Sequence, residues 1–170
     1  GLISYNYFSG EHLTGLTEGR PLFVRSTKDK FNLANFMRAH LYASVGVLKL
    51  GNDIPFNDEK VRVDRITGHG GLFKTKGVGQ RILAAAINSP ISVMETAGEG
   101  GAWGIALLAS YLVNNTNKQS LADYLDEVVF AGDAGVEIKP TKEDVAGFNK
   151  YIENYKACLA IEEAAVKAKN

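Results

Sequence analysis

The segment formed by residues 61–80 constrains the fold most, because its pattern changes abruptly at a pair of glycines. Apolar and polar residues alternate up to Ile66, as in a β-strand, and the alternation stops at Gly70 and Gly71. Beyond the glycines, apolar residues recur at helical spacing, at Val78, Ile82, Leu83, Ala86 and Ile87. A strand, a glycine turn and a helix N-terminus form a place where a flat ligand can lie on bare backbone, and where free N–H groups favour negative charge.

Two well-known phosphate-binding loops are excluded by a single residue of this segment. The dinucleotide fingerprint requires its third glycine, and the P-loop its second glycine, at the position that Phe73 occupies. The Cβ atom and phenyl ring of Phe73 would obstruct either loop. The segment therefore belongs to neither class.

The same residues resemble the adenosine motif of the FGGY carbohydrate kinases, which belong to the actin-like ATPase superfamily. Family sequences have roughly Gly-Gly-(Gly/Ala)-x-(Lys/Ala)-(Ser/Asn), with Gln five residues further on, and residues 70–75 with Gln80 keep this spacing. Leu72 stands where Gly or Ala is usual, and Thr75 stands where Ser or Asn is usual.

Two further segments match the family in the family's own order. Residues 99–109 are similar to its Glu-x-x-Ala-Leu-Gly-Ala-Ala helix start, and residues 7–11 with 18–20 look like its Phe-Ser-Gly-Glu stretch, with Asn6 in place of the usual Pro. The three matches cover residues 3 to about 113. Their order and spacing identify the chain as similar to the C-terminal domain of these kinases.

The resemblance implies ATP with Mg²⁺ as cofactors and assigns the nucleotide contacts to Gly70, Gly71, Lys74 and Thr75. Each residue has a structural alternative. The glycines could serve only the turn, Lys74 could be solvated, and Thr75 could cap the next helix. His69 lies at the adenine end of the motif, away from the acceptor hydroxyl that needs a base, so we expect it to be structural.

No catalytic residue and no metal ligand is expected within this chain. In the family the catalytic aspartate and the first phosphate motif belong to the N-terminal domain, and the second phosphate motif lies at the start of the C-terminal domain. None of them is found here. The chain, residues 1–170, is therefore expected to be a partial C-terminal, nucleotide-binding domain, with the N-terminal sugar-binding domain absent from it.

Size and charge restrict the partners. A length of 170 residues with 19 basic and 19 acidic side chains predicts one domain without the basic stripe that nucleic acid or an anionic membrane requires. The longest apolar stretch, residues 102–113, is too short to span a bilayer and predicts a buried helix. The single cysteine, Cys158, and the lack of a secretory signal favour the cytoplasm.

The order of predicted elements indicates an α/β fold. Strands are expected at about 22–26, 61–67 and 91–95, each followed by a helix, at about 30–50, 76–88 and 99–114. This order implies part of an actin-like (ribonuclease H-like) ATPase domain, with a mainly parallel sheet flanked by helices. Ser120 and Thr141 are expected to cap additional C-terminal helices, and residues 132–135 to form a turn.

The expected function is the ATP-binding portion of a sugar kinase. Residues 137–156 are similar to the ends of xylulokinases and ribulokinases, so a pentulose such as xylulose or ribulose is the expected substrate, and the N-terminal domain of the same polypeptide is the expected partner. One alternative is a non-catalytic actin-fold module that binds nucleotide or assembles with a partner. Another is a purely structural α/β domain.

A homo-oligomer is also expected. The predicted strands correspond to strands 3, 4 and 5 of the actin-like order 3-2-1-4-5, which leaves a gap beside residues 22–26 and 61–67. Unpaired strand edges favour pairing with another chain. Recruitment of the arm at residues 2–8 as a replacement strand would remove this tendency.

Overall fold

The computed structural model describes residues 1–63, 65–131 and 135–168, which fall into two compact units. The first unit contains Gly1–Val63, Ile82–Ser89 and Pro140–Asn170, and the second contains Asp64–Arg81 and Pro90–Lys139. The strands are β1 (Ile3–Tyr5), β2 (Leu22–Val24), β3 (Ile66–Gly68), β4 (Ile91–Val93) and β5 (Val136–Ile138). The helices are α1 (Leu33–Asp53), α2 (Val78–Ile87), α3 (Gly100–Asn114), α4 (Leu121–Tyr124) and α5 (Lys142–Lys167). Most of the predicted turn at 132–135 lies outside the described residues.

In the first unit, the arm at the start of the chain forms a strand. β1 pairs with β2 in antiparallel fashion, with Ser4 opposite Phe23. The edge of β2 that the sequence left unpaired is therefore occupied from within the chain, because the arm is recruited. Self-association of the chain remains a prediction, but the edge of β2 that pairs with β1 is no longer a reason for it.

The core of the first unit is aromatic. α1 and α5 both contact β1, and Tyr5, Phe148 and Tyr155 are fully buried there. The Tyr5 hydroxyl donates to the Tyr155 carbonyl at 2.5 Å, and the hydroxyls of Tyr7 and Tyr155 lie 2.6 Å apart. Burial of these phenols is tolerated because each hydroxyl has a hydrogen-bond partner.

Helical spacing predicts that α1 faces the core through Leu33, Phe36, Met37, Leu41, Val45 and Leu48, but the buried face of the helix is different. Of these only Val45 is buried, and the other buried positions are Ala39, Ala43 and Gly46. A Cβ on Gly46 would lie 3.5 Å from the Tyr155 ring, so small residues let α1 approach the aromatic core. The bulky residues lie on the flanks of this narrow face.

The predicted start of α1 also shifts. The sequence predicts Thr27 or Asp29 as the cap of a helix that begins at about residue 30. This prediction is wrong, because the Asn32 side chain accepts from the backbone N–H of Asn35 at 2.9 Å and the helix begins at Leu33. The stop predicted at residues 51–55 is confirmed, since α1 ends at Asp53, and a π-type turn at Ile54–Asp58 follows directly.

The caps predicted further along the chain are confirmed. Thr141 accepts from the N–H of Asp144 at 3.1 Å at the start of α5, and Ser120 accepts from the N–H of Asp123 at 3.1 Å at the start of α4. The sequence also predicts an inward stripe on α5 at Val145, Phe148, Ile152, Tyr155 and Leu159. Phe148, Ile152 and Tyr155 are buried as predicted, whereas Val145 and Leu159 are half-buried. A helix cap and an apolar stripe depend on residues close together in sequence, so both can be predicted without knowledge of the rest of the fold.

In the second unit, β3, β4 and β5 form a three-stranded sheet in that order. β3 and β4 are parallel, as expected of strands joined by a helical crossover, whereas β4 and β5 are antiparallel. With the antiparallel β1–β2 pair, one of the three described pairings is parallel. The prediction of a mainly parallel sheet is therefore wrong for the described strands.

The helix predicted to be buried, α3, is exposed. It has no buried residue, and Ile105, Leu112 and Val113 expose 70%, 82% and 79% of their surface. Its apolar composition correctly predicted a helix but could not show what covers it. Within the described part of the chain, no helix combines the length and apolar character that crossing a membrane requires.

Candidate functional site

The candidate site lies where two parallel strands end. A short 3₁₀ turn, Gly71–Phe73, follows β3, and another, Glu95–Glu99, follows β4. The two turns contact each other because carboxyl ends of parallel strands meet at one edge of a sheet. This is the position at which open α/β sheets bind ligands.

Gly70 gives the site its backbone shape. Its φ of 104° and ψ of −177° lie in a region that is essentially restricted to glycine. No heavy atom lies within 4 Å of the Cβ positions of Gly70 and Gly71, so their outward side is open. The turn thus presents bare backbone that a planar group can approach.

The two apolar residues of the turn point away from this open side. A Cβ on Gly68 would collide with the ring of Phe73, and a Cβ on Gly79 would lie 2.6 Å from Leu72 Cγ. Phe73 and Leu72 therefore anchor the turn onto neighbouring glycines. The prediction that Phe73 excludes the P-loop stands on sequence, and the structure adds that its ring has a packing role.

Lys74 reaches across to the second turn. Its Nζ lies 2.9 Å from Glu99 Oε1, and its stem rests on Gly98, where an added Cβ would lie 3.2 Å from Lys74 Cγ. Both charged groups are exposed. The hydrogen bond and charge of Lys74 hold the pKa of the Glu99 carboxyl below its usual value.

The contact between Lys74 and Glu99 is expected to depend on pH through the pKa of Glu99. We expect Lys74→Gln to raise the pKa of Glu99, because the mutation removes the cation that favours the carboxylate. In the wild type the pair forms above the ordinary carboxylate pKa and is lost as the pH falls through the lowered pKa of the folded state. An NMR titration of the Glu99 carboxyl tests this, with Lys76→Gln as the matched control. An unchanged Glu99 pKa in Lys74→Gln would show that the contact does not persist in solution.

Thr75 does not cap α2. The helix begins at Val78, directly after Gly77, and the Gly77 carbonyl accepts from the N–H of Arg81 at 3.0 Å. The Thr75 side chain is exposed and makes no hydrogen bond to a residue that the structure describes. Its hydroxyl is therefore available to a ligand, and the capping alternative is wrong.

Gln80, which carries part of the family resemblance, has a structural role. Its side chain is buried, and Nε2 donates to the carbonyls of Ile91 at 2.7 Å and Val136 at 2.6 Å. The amide thus ties β4 to β5. Its position one turn into a helix gave no signal of these partners, which lie 11 and 56 residues away.

The start of α3 borders the glycine turn through His69. The sequence predicts that Gly100, Gly101 and Gly104 let this helix pack closely. A Cβ on Gly100 would lie 3.1 Å from His69 Cβ, so the prediction is confirmed for Gly100, and His69 has a packing contact. Gly101 and Gly104 have open space at their Cβ positions, so the close packing predicted for them is wrong. Trp103 is half-buried, and its indole N–H is buried without a hydrogen-bond partner among the described residues.

The groups at this site are ones that can bind a ligand. In the described parts of the chain, no group of three His, Cys, Asp or Glu side chains could hold a metal ion. The structure brings Gly70, Gly71, Lys74 and Thr75 together on one turn, with Glu99 as their neighbour. The turn offers backbone, one hydroxyl and one ion-paired ammonium.

The fold and the site define a class of protein. It is an α/β domain in which the loops after two parallel strands meet, and one of these loops contains a glycine in a glycine-restricted conformation and is open to a ligand. Over residues 1–113 the chain matches the model of the C-terminal domain of the FGGY family of carbohydrate kinases, and it belongs to this family. Membership implies the ribonuclease H-like, actin-like ATPase fold and a carbohydrate kinase whose C-terminal domain pairs with an N-terminal domain and a sugar substrate. Kinases of this family generally use ATP and Mg²⁺. No curated protein matches the chain.

Proposed function

We propose that the turn at residues 70–75 holds the adenosine end of ATP in a kinase that phosphorylates a pentulose. The observation that carries the proposal is the glycine-only conformation of Gly70 beside two open Cβ positions. The bare backbone of Gly70 and Gly71 would lie against the adenosine, and the free hydroxyl of Thr75 would hydrogen-bond the adenine edge.

Lys74 and Mg²⁺ would both act on the phosphates of the nucleotide. Lys74 would contact a phosphate only by leaving Glu99, and its exposed, flexible stem allows this. Mg²⁺ is typically bound through substrate phosphates with one or two carboxylates, so it would arrive with the nucleotide. When bound, MgATP supplies the phosphoryl group, while this chain binds and orients the nucleoside.

The remaining parts of the proposal come from the sequence. The pentulose, xylulose or ribulose, rests on the similarity of residues 137–156 to pentulose kinases. The chain would be part of a C-terminal domain, with catalytic and sugar-contacting groups supplied by the N-terminal domain of the same polypeptide. A cytoplasmic location is proposed from the single cysteine, Cys158, which is free, because a reducing compartment keeps thiols in this state.

The chain by itself is expected to have no phosphotransferase activity. The reason is that the family's catalytic aspartate and phosphate motifs are not found in it. ADP release is measured with MgATP and xylulose, ribulose or glycerol, for this chain and for a protein carrying both domains, against a mock preparation. Sugar-dependent ADP release by the chain alone would contradict the division of labour. A two-domain protein that prefers glycerol would contradict the pentulose assignment.

The second candidate is a non-catalytic nucleotide-binding or assembly module, which the exposed apolar side of α3 favours. Such a module must bind ATP without a second domain. Calorimetric titration of the chain with ATP separates the two: ready, saturable binding supports the module, and weak or undetectable binding supports the kinase portion. Sedimentation at increasing concentration shows whether the chain also self-associates.

A further inference from the structure

The first unit contains a cavity that the nucleotide proposal does not use. Its volume is about 220 Å³. The cavity opens to solvent and lies between the start of the chain, the first half of α1 and the middle of α5. Its lining includes Leu2, Asn35, Arg38, Tyr42, Lys150 and Asn154. None of its lining residues belongs to the turn at residues 70–75, so a ligand bound in this cavity is independent of the proposed function.

The cavity carries positive charge without a balancing acid in its wall. Arg38 on α1 and Lys150 on α5 both line it, and no lining residue is acidic. Neither cation forms an ion pair or hydrogen bond with a residue that the structure describes. Asp29 lies close to Gly1 at one end of the cavity, where a hydrogen bond from the Ser26 backbone N–H lowers its pKa. Two unpaired cations on facing helices favour a dianionic group such as a phosphate ester.

The other walls suit a polyol. Asn35 and Asn154 both line the cavity. The Asn35 amide nitrogen donates to the Lys30 carbonyl at 2.8 Å, which leaves its oxygen as an acceptor, whereas the Asn154 amide can both donate and accept. The rings of Tyr42 and Tyr151 meet edge to face with centroids 5.1 Å apart and form an apolar wall. A few convergent polar groups on an aromatic wall are typical of small-molecule sites.

The dimensions limit the ligand. Sites for drug-sized ligands have volumes of roughly 300–1,000 Å³, so a cavity of about 220 Å³ admits only a smaller molecule. We propose that this cavity is a binding site for a small polyol phosphate, with the phosphoryl group on Arg38 and Lys150 and the hydroxyls on Asn35 and Asn154. The alternative is that both cations, which are exposed, are simply solvated.

The test is calorimetric titration of the chain with glycerol 3-phosphate, inorganic phosphate and glycerol. We expect saturable binding of the ester, weaker binding of inorganic phosphate and none of glycerol. Arg38→Ala and Lys150→Ala should each weaken the ester by at least about tenfold, as the loss of a charge-assisted hydrogen bond implies. Asn154→Ala should weaken the ester but leave inorganic phosphate unchanged, a split that charge attraction alone cannot produce.

Lys156→Ala is the matched control, because Lys156 is an exposed lysine of α5 outside the cavity, and it should bind the ester as the wild type does. Circular dichroism and melting temperature establish that each variant is folded. No saturable binding of the ester would overturn the proposal. So would binding that survives the double mutation of Arg38 and Lys150, or an equal loss in Lys156→Ala.

Discussion

Replacing Gly70 with alanine is expected to weaken ATP binding to the two-domain enzyme by about tenfold or more. The φ and ψ of Gly70 lie in a region where other residues are strained by about 1–3 kcal/mol, and about 1.4 kcal/mol corresponds to a tenfold change in affinity. The strain would be relieved by moving the turn away from the geometry that receives the nucleotide. Isothermal titration with ATP measures the loss.

Gly71→Ala is the matched control for strain. Gly71 has no positive φ and no atom near its Cβ position, so the substitution should leave the free energy of unfolding unchanged. Its methyl group would nevertheless lie on the surface that adenosine is proposed to cover, and the dissociation constant should rise. If neither substitution changes that constant, the glycines serve only the turn and the structural alternative is correct.

Phe148→Ala is expected to lower the free energy of unfolding by about 3–5 kcal/mol, the usual cost of truncating a buried aromatic side chain to alanine. Phe148 is fully buried, and its ring lies 4.9 Å from the Tyr42 ring and 5.8 Å from the Tyr151 ring, measured between centroids. Its removal would leave a cavity and would remove ring packing between α5 and α1. Urea unfolding followed by circular dichroism measures the change.

Phe8→Ala provides the comparison, because 87% of the Phe8 surface is exposed. Its removal should change the free energy of unfolding little, as is usual for surface substitutions. Equal effects of the two mutations would mean that the aromatic core of the first unit does not hold α1 and α5 together.

What the sequence could predict was local. The Thr141 cap and the stripe through Phe148, Ile152 and Tyr155 depend on residues within one or two helical turns, and both were correct. The glycine turn was predictable for the same reason, since Gly70 alone sets the backbone conformation there. Each feature arises from neighbours in the chain.

What the sequence could not predict depends on contacts between distant segments. The buried face of α1 is set by Gly46 approaching Tyr155, and hydrophobic spacing favours large residues over the small ones that such an approach needs. The Lys74–Glu99 pair joins residues 25 apart, and it gave no signal beyond opposite charge. The exposure of α3 depends on what stands beside it, which composition does not contain.

The antiparallel pairing of β5 has the same origin. The parallel β3–β4 pair follows from the helical crossover between them, and its direction could be predicted. β5 returns after α3 and α4, and helices alone do not determine the direction in which the next strand enters the sheet. Gln80, with hydrogen bonds to β4 and β5, was recognised only as a motif residue.

The helix α3 also governs the colloidal behaviour of the molecule. All 38 formal charges of the chain, 19 of each sign, lie outside the 15 residues of α3. The helix is therefore an uncharged, apolar part of the surface. Because the net charge of the chain is zero, electrostatic repulsion between molecules does not prevent contacts through this helix. Sulfate and other kosmotropic salts strengthen apolar contact. Such salts are therefore expected to favour contact between molecules through this helix.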